Sequence, residues 1–225
     1  MLSTYIISDI HGCNKTFRQA LKKVSLKKTD KLILLGDLID RGHDSKGVID
    51  TVILLQNHGF DVTCIKGNHE QMLLDALDDT FAKVNWIRNG GNKTLQSFLT
   101  SDINGIPKAY IDFIKSFDDY FVAENYIFVH AGINMTIENP YSDKESLLWL
   151  RDWKVLYNAD WLAGRKVIHG HTPMTAFEII EQFKSEDLQV YGIDGGAYIV
   201  NDEGYGELCV LELETKKMVF QKNIE

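Results

Sequence analysis

The stretch KLILLGDLIDRG, residues 31–42, joins an apolar run to a loop that glycines bound on both sides. A continuous apolar run bounded by turn residues is typical of a strand that is covered on both faces. Residues 31–35 are therefore predicted to form a buried strand. The loop at 36–42 carries Asp37, Asp40 and Arg41, so charged side chains are expected just beyond the carboxyl end of this strand.

The residues around this stretch repeat the alternation of strand and helix. β-branched runs predict strands at 5–8 and 62–65, and apolar residues at helical spacing predict helices at 13–24, 45–57 and 70–77. This alternation is typical of βαβ units, which build a sheet with helices on its faces. The first third of the chain thus predicts an α/β fold.

The middle and the later half follow different patterns. From about 79 to 118, helix-like pieces broken by glycines predict a helical insertion. The later half predicts the strands of a second sheet, at residues 120–122, 126–129, 166–168, 177–180, 190–193, 208–213 and 218–221. A chain of 225 residues without repeats or clear linkers is expected to form a single domain over 1–225.

Composition argues against several classes of protein. The chain has 24 Lys and Arg against 32 Asp and Glu, and this net charge of −8 argues against a nucleic-acid backbone or an anionic membrane as a partner. The three cysteines are far apart and lack a C-x-x-C spacing, so neither disulfides nor a structural zinc site is expected. Because no long apolar stretch and no signal-peptide pattern is present, the predicted location is the cytoplasm.

Five polar segments each follow directly on a predicted strand, and they lie at 9–12, 36–42, 67–70, 130–132 and 169–172. Sites in α/β sheets form beyond the carboxyl ends of strands, so these segments are expected to converge. They supply Asp, His and Asn side chains without a thiolate, a set that suits Mn²⁺, Fe or Zn²⁺. Two ions are expected, because the set is too large for one ion and a carboxylate can bridge two.

A plainer interpretation exists for each of these residues alone. Asp9, Asp37 and Asp40 belong to a residue type that is common in helix caps and turns. Taken alone, His130 is equally compatible with a core histidine at the end of a strand. This interpretation gives no reason for acids and imidazoles to recur at strand ends, so a shared site is the favoured hypothesis.

Taken in order, five motifs resemble the signature of the metallophosphoesterase superfamily: D-x-H-G at 9–12, G-D-x-x-D-R-G at 36–42, G-N-H-E at 67–70, H-A-G at 130–132 and G-H-T at 170–172. The D-R-G and H-E extensions narrow the resemblance to the phosphoprotein phosphatase family. The short chain resembles the bacterial and phage branch, which includes lambda-type phosphatases and symmetrical diadenosine tetraphosphate hydrolases. The resemblance implies a four-layer αββα sandwich with mixed sheets and a dinuclear metal site at the carboxyl ends of strands.

The resemblance also implies a role for each matching residue. It implies a first metal at Asp9, His11 and Asp37, and a second metal at Asp37, Asn68, His130 and His171. The general acid is implied to be His69, oriented by Asp40. The substrate phosphate is implied to contact Arg41, Arg151 and Asn68. For His169, structural support and metal ligation both stay open.

The implied activity is hydrolysis of a phosphoester by a hydroxide that bridges two divalent metal ions, with Mn²⁺ expected and Fe or Zn²⁺ as alternatives. The first substrate hypothesis is phosphoserine or phosphothreonine in a protein, with phosphotyrosine also considered. The alternative is symmetrical hydrolysis of bis(5′-nucleosyl) tetraphosphates, with an adenine pocket expected within 79–120. A third hypothesis, a binding module that has lost catalysis, is disfavoured by the complete set of motif residues.

Overall fold

The computed structural model describes residues 2–123, 125–153, 155–185 and 187–225. Its strands are β1 (Thr4–Ile7), β2 (Lys31–Leu34), β3 (Asp61–Cys64), β4 (Tyr120–Ala123), β5 (Tyr126–Val129), β6 (Lys166–His169), β7 (Val190–Gly192), β8 (Glu207–Glu212) and β9 (Lys217–Lys222). Its α-helices are α1 (Asn14–Lys23), α2 (Ser45–Asn57), α3 (Asn68–Asp75), α4 (Thr80–Trp86), α5 (Asn92–Ser97), α6 (Lys108–Lys115), α7 (Lys144–Trp149), α8 (Ala159–Leu162) and α9 (Ala176–Gln182).

The strands form two mixed sheets. The first sheet has the order β3-β2-β1-β8-β9, in which β1, β2 and β3 run parallel and β8 is antiparallel to both of its neighbours. The second has the order β4-β5-β6-β7, with β5, β6 and β7 parallel and β4 antiparallel. The parallel strands of each sheet therefore bring their carboxyl ends to one edge, which is where the polar segments begin.

Successive side chains of a strand point to opposite faces, so β1 contributes to two cores. Ile6 belongs to a fully buried cluster with Ile33 of β2 and with Phe128 and Ile168 of the second sheet. Its neighbour Ile7 belongs to a different cluster, on the face that the helices cover. Each such side chain contributes about 1.5–3 kcal/mol when it is fully buried.

Helices cover the outer faces of both sheets. On the first sheet, Phe17 of α1 and Val48 of α2 are fully buried in the outer cluster. On the second sheet, Leu147 of α7 and Leu162 of α8 are buried with Val129 of β5. The layers are thus helix, sheet, sheet and helix, which confirms the predicted four-layer sandwich.

The prediction of a strand at 177–180 is wrong, because these residues lie within helix α9. A capping box starts this helix: the Thr175 hydroxyl accepts a hydrogen bond from the Glu178 main-chain N–H at 3.2 Å, and the Glu178 carboxylate accepts one from the Thr175 N–H at 2.8 Å. Ile179 is fully buried while Phe177 is 71% exposed, as expected for the two sides of a helix. Local capping therefore outweighs the apolar content that suggested a strand.

Helices α4, α5 and α6 occupy the region of the predicted insertion. A kinked turn at Ile87–Gly91 joins α4 to α5, and its Gly90 has a non-helical φ of 108°. This turn carries the N-G-G sequence that breaks the helical pattern. No helix in the described part of the chain is long and apolar enough to cross a membrane.

Candidate metal centre

Six predicted metal ligands lie beyond the carboxyl ends of five strands, and each is at most 5% exposed: Asp9, His11, Asp37, Asn68, His130 and His171. Main-chain hydrogen bonds tie the segments together. The His11 N–H donates to the Asp37 carbonyl at 2.8 Å, and the Gly170 N–H donates to the His130 carbonyl at 2.8 Å. The structure therefore brings together all five polar segments.

The first group of possible ligand atoms contains His11, Asp37 and His69. Asp37 Oδ2 lies 3.5 Å from His11 Nε2 and 3.9 Å from His69 Nε2. His11 Nδ1 lies 3.0 Å from the Ile39 carbonyl oxygen, which can only accept a hydrogen bond, so Nδ1 carries the proton. This leaves the lone pair of Nε2 directed to the centre, in the way that a carbonyl commonly orients a metal-binding histidine.

The second group contains Asp37, His130 and His171. Asp37 Oδ1 lies 3.5 Å from His130 Nε2, which is also 2.8 Å from Asn68 Oδ1 and 3.2 Å from His171 Nδ1. His130 Nδ1 donates to the Leu35 carbonyl at 2.8 Å. Asp37 thus presents one carboxylate oxygen to each group, which is the arrangement of a bridging ligand.

Asp9 lies beside both groups but belongs to neither. Its Oδ2 accepts hydrogen bonds from the Ser8 hydroxyl and, at 3.0 Å, from the His171 N–H. Burial raises the pKa of Asp9, and the carboxylates of Asp194 and Asp37 raise it further. The first group of possible ligand atoms therefore contains His69, whereas the resemblance implies Asp9 at that metal. Ligation by Asp9 stays a prediction.

The chemistry of these side chains fits a pair of divalent cations. Burial, together with repulsion from neighbouring carboxylates, raises the pKa of Asp9 and of Asp194, and Asp37 contributes to that repulsion at both. The Nε2 atoms of His69 and His171 are buried and have no hydrogen-bond partner in the described residues. An unsatisfied buried polar group costs about 1–3 kcal/mol. A bound cation would give the Nε2 of His171 a partner and would offset the repulsion between the carboxylates.

Protonation states support the same conclusion. Burial lowers the pKa of His171 to about 3, and it also lowers that of His130. Burial alone would raise the pKa of Asp37, but the imidazoles of His130, His69 and His11 outweigh it and hold that pKa below its usual range. Near neutral pH His130 and His171 are therefore neutral imidazoles and Asp37 is an ionised carboxylate, the forms that metal ligation requires.

The Glu70 side chain holds two loops of the centre in place through hydrogen bonds. The sequence-based predictions do not include this role. Its fully buried carboxylate accepts hydrogen bonds from the N–H groups of Asp37 and Leu38 at 2.8 Å and from that of Gly67 at 2.9 Å. One side chain therefore joins the loop after β2 to the loop after β3. The G-N-H-E motif could have indicated a role for Glu70, because Glu70 is its last residue and directly follows His69.

His69 and Asp40 form a buried pair. His69 Nδ1 lies 2.8 Å from Asp40 Oδ2, and the His69 main-chain N–H donates to Asp37 Oδ1 at 3.0 Å. Burial lowers the pKa of His69, but the nearby carboxylates of Asp37 and Asp40 outweigh this effect and raise it above the ordinary value. The structure thus places the Asp40 carboxylate against His69, and the catalytic roles of the two residues stay predictions.

Two arginines lie at the rim, one beside each group. The Arg41 guanidinium donates to the Tyr198 hydroxyl and lies 4.4 Å from the centre of its ring. The Tyr198 ring in turn makes an edge contact with His11 at 4.7 Å. On the other side, Arg151 Nη1 donates to the His171 carbonyl at 3.0 Å. No sequence signal indicated Tyr198, because its contact arises only in the fold.

His169 lies apart from both groups. Its Nδ1 is 2.9 Å from the Gly170 carbonyl oxygen, and its ring packs 5.2 Å from that of Trp153. Burial lowers the pKa of His169 to about 4. The surroundings of this side chain are those of a buried structural histidine.

Several of these residues have an unusual backbone. The φ angles of Asp9, His11, Asp37, Asp40, Arg41 and His171 are all positive, between 45° and 70°. Residues other than glycine rarely adopt this left-handed region, and such strain clusters at functional sites. The strained residues therefore lie in the loops that carry the candidate ligands.

Two mixed sheets covered by helices and a carboxylate shared by two groups of histidines define the class of protein: an α/β sandwich with two adjoining candidate metal-binding groups at its strand ends. Residues 2–201 match the model of the calcineurin-like phosphoesterase family, so the chain belongs to that family.

Similar proteins fall into two groups by name. The chain is 33% identical over 141 residues to a symmetrical bis(5′-nucleosyl)-tetraphosphatase of Nitrosomonas europaea, an alignment that covers 61% of this chain and 48% of that protein. It is 38% identical over 89 residues to serine/threonine-protein phosphatase 1 of Salmonella typhimurium, covering 39% of this chain and 38% of that protein. The matched part is thus less than half of each relative.

A solved structure shares the fold. A protein serine/threonine phosphatase from Saccharomyces cerevisiae superposes with a TM-score of 0.66 at 12% identity, over all of this chain and 81% of the other. At this identity the similarity concerns the fold alone.

Proposed function

We propose that the protein, as one domain over 1–225, is a metal-dependent hydrolase of phosphoesters. The observation that carries this proposal is the placement of Asp37: its two carboxylate oxygens face separate pairs of histidines, with His11 and His130 each 3.5 Å away. Two divalent cations, when bound, supply a Lewis acid and an acidified water for attack on phosphorus. We propose Mn²⁺ as the resident ion, with Fe or Zn²⁺ as alternatives.

The proposed ligands are those of the family resemblance: Asp9, His11 and Asp37 for one ion, and Asp37, Asn68, His130 and His171 for the other. The contacts of Asn68 and His171 with His130 Nε2 support the second set. For the first set, the buried Nε2 of His69 lies as near to Asp37 as a ligand would. We assign His69 to catalysis because the family resemblance implies it and because Asp37 and Asp40 raise its pKa, which favours the protonated form that a general acid needs.

Other side chains of the protein bind the phosphate and transfer the proton. Arg41 and Arg151 bind the phosphoryl oxygens, since a guanidinium matches their geometry. His69, protonated on both nitrogens, donates the Nε2 proton to the leaving oxygen as the bond from phosphorus to that oxygen breaks. Water supplies the new oxygen on phosphorus and releases one proton to solvent. Asp40 keeps the proton on Nδ1 and stabilises the imidazolium.

The proposed substrate is a phosphorylated serine or threonine side chain, with phosphotyrosine as a further candidate. The exposed guanidinium of Arg151 and the half-buried one of Arg41 place two cations at an open rim, which suits a phosphate that projects from a protein surface. The net charge of −8 makes a nucleic acid an unsuitable partner, and the proposed location is the cytoplasm.

Symmetrical hydrolysis of bis(5′-nucleosyl) tetraphosphates is the second candidate. It is supported by the relative from Nitrosomonas europaea, whose alignment extends over more of this chain than that of the Salmonella phosphatase. The two candidates share the metal centre and differ in what surrounds it, since a dinucleotide needs a pocket for adenine.

One experiment tests both candidates. The Mn²⁺-loaded protein and a chelator-treated sample are assayed on a phosphoserine peptide and on diadenosine tetraphosphate. We expect phosphate release from the peptide that the chelator abolishes and that Mn²⁺ restores. Much faster release of ADP from the dinucleotide would favour the second candidate. Turnover that is unaffected by the chelator, or none with Mn²⁺, Fe²⁺ or Zn²⁺, would overturn the proposal of a metal-dependent hydrolase.

A further inference from the structure

The Asp40 carboxylate is held by more than His69. The indole N–H of Trp86 donates to it at 2.9 Å, and the hydroxyl of Thr94 donates at 2.6 Å. The three residues are fully buried. Trp86 ends helix α4 and Thr94 lies in α5, so both hydrogen bonds come from the helical insertion.

The same segment also contacts the main chain of the turn that carries Asp40. The Asp40 N–H donates to the Thr94 hydroxyl oxygen at 3.0 Å, and the Arg41 N–H donates to the Gly90 carbonyl at 3.4 Å. The φ angles of Asp40 and Arg41 are 70° and 66°, a strained conformation for both residue types. Strain of this kind persists only where surrounding contacts hold it.

Close packing makes the contact between the segment and the turn specific. A Cβ atom at Gly90 would lie 2.8 Å from the main-chain nitrogen of Arg41, and one at Gly91 would lie 2.4 Å from the ring of Trp86. The two glycines therefore let the insertion approach the turn and let Trp86 lie flat against the chain. The N-G-G sequence is thereby part of the support of the site.

We propose that Trp86 and Thr94 are positioning residues for proton transfer, which hold the Asp40 carboxylate and, through it, the His69 imidazole in the orientation that protonates the leaving group. This inference rests on the general-acid role of His69 within the proposed function. The insertion is thus part of the support for proton donation by His69.

The chemistry makes this support necessary. A carboxylate with two free oxygens can rotate and can accept from His69 in several geometries, whereas two further donors fix its plane. General-acid catalysis depends on hydrogen-bond reach between the acid and the leaving oxygen, so a rotated imidazole loses most of its effect. The loss should be large for an alkoxide leaving group and small for one that needs no proton.

The test compares two substrates that differ in this respect. A phosphoserine peptide releases an alkoxide, and p-nitrophenyl phosphate releases a stable phenolate. For Thr94→Val we expect kcat on the peptide to fall about tenfold, a part of the 10²–10⁴-fold that a general acid contributes, with a fall of about twofold or less on p-nitrophenyl phosphate. KM and the affinity for Mn²⁺ should stay near their original values. Trp86→Phe should behave alike.

Conservative variants separate positioning from packing. Thr94→Ser keeps the hydroxyl and should restore most of the peptide activity that Thr94→Val loses. Trp161→Phe removes the indole N–H of a tryptophan in the outer cluster of the second sheet and should leave both activities unchanged. Equal losses on the two substrates, or equal behaviour of Thr94→Ser and Thr94→Val, would overturn the inference. Thermal unfolding of each variant checks that it folds.

The variant His69→Asn distinguishes failure of this inference from failure of the proposed function. A selective loss on the peptide in His69→Asn, without one in Thr94→Val and Trp86→Phe, overturns the positioning role alone. Equal losses on both substrates in His69→Asn overturn the general-acid role and therefore the basis of the inference. In the His69→Asn background, Thr94→Val should cause no further selective loss, because the acid it positions is already gone.

Discussion

Glu70 is the side chain whose replacement tests most directly how the centre is built. In Glu70→Gln the shape is kept, but one acceptor oxygen becomes an NH₂ donor. Glu70 Oε2 accepts from the N–H groups of Asp37 and Gly67, and Oε1 accepts from that of Leu38 and, at 3.3 Å, from that of Ile39. Either orientation of the introduced amide keeps two of these four bonds and turns its NH₂ group toward the other two N–H groups.

The expected cost follows from that count. A hydrogen bond to a charged group contributes about 1.5–3 kcal/mol, and a buried donor left without a partner costs about 1–3 kcal/mol. Burial and the charge of Asp37 raise the pKa of Glu70 to about 7. Removing this unfavourably buried charge regains part of the loss, so we expect a net loss of roughly 2 kcal/mol in the free energy of unfolding. For a chain of this size, that loss lowers Tm by about 4–8 °C. Because Asp37 and Gly67 shift together, Mn²⁺ affinity should fall about 10–100-fold.

The assay combines calorimetric unfolding with titration by Mn²⁺. The matched control is Glu178→Gln, which makes the same chemical change in the exposed capping box of α9. We expect the control to shift Tm only slightly and to leave Mn²⁺ affinity unchanged. If Glu70→Gln matched the control in both measurements, the assigned role of Glu70 in joining the two loops would be refuted.

Three further variants test other parts of the site. Asp37→Asn should lose Mn²⁺ binding and hydrolysis together, since the bridging carboxylate is gone; calorimetric titration that still shows two bound ions would contradict this. Tyr198→Phe removes one hydrogen bond to Arg41, worth about 1 kcal/mol, so KM for p-nitrophenyl phosphate should rise about fivefold with kcat little changed; an unchanged KM would count against it. Gly91→Ala forces Cβ into the ring of Trp86 and should destabilise the fold by about 1–3 kcal/mol, which an unaltered Tm would disprove.

The sequence predicts the centre well because its residues follow directly on strands. An apolar run that ends in a polar segment locates both the strand and the end where its side chains collect, as with residues 31–35 and Asp37. Parallel pairing of β1, β2 and β3 then brings these segments together. The positions of the motif residues can thus be predicted from the strand that precedes each of them. The structure does bring these residues together.

The supporting residues could not be predicted in the same way. Trp86, Thr94 and Tyr198 reach the site only through the packing of distant segments, and nothing near them in sequence marks that contact. The error at 177–180 has another cause. There the apolar content suggested a strand, whereas the capping box of Thr175 and Glu178 starts a helix.

The positive φ angles of the site carry a consequence for the evolution of this chain. A left-handed conformation costs roughly 1–2 kcal/mol for a residue with a Cβ atom and little for glycine. Six such residues amount to a burden comparable with the net stability of a whole domain, about 5–15 kcal/mol. Selection for heat resistance alone would therefore favour glycine at these positions. The proposed metal centre needs the aspartate, histidine and arginine side chains that glycine would remove.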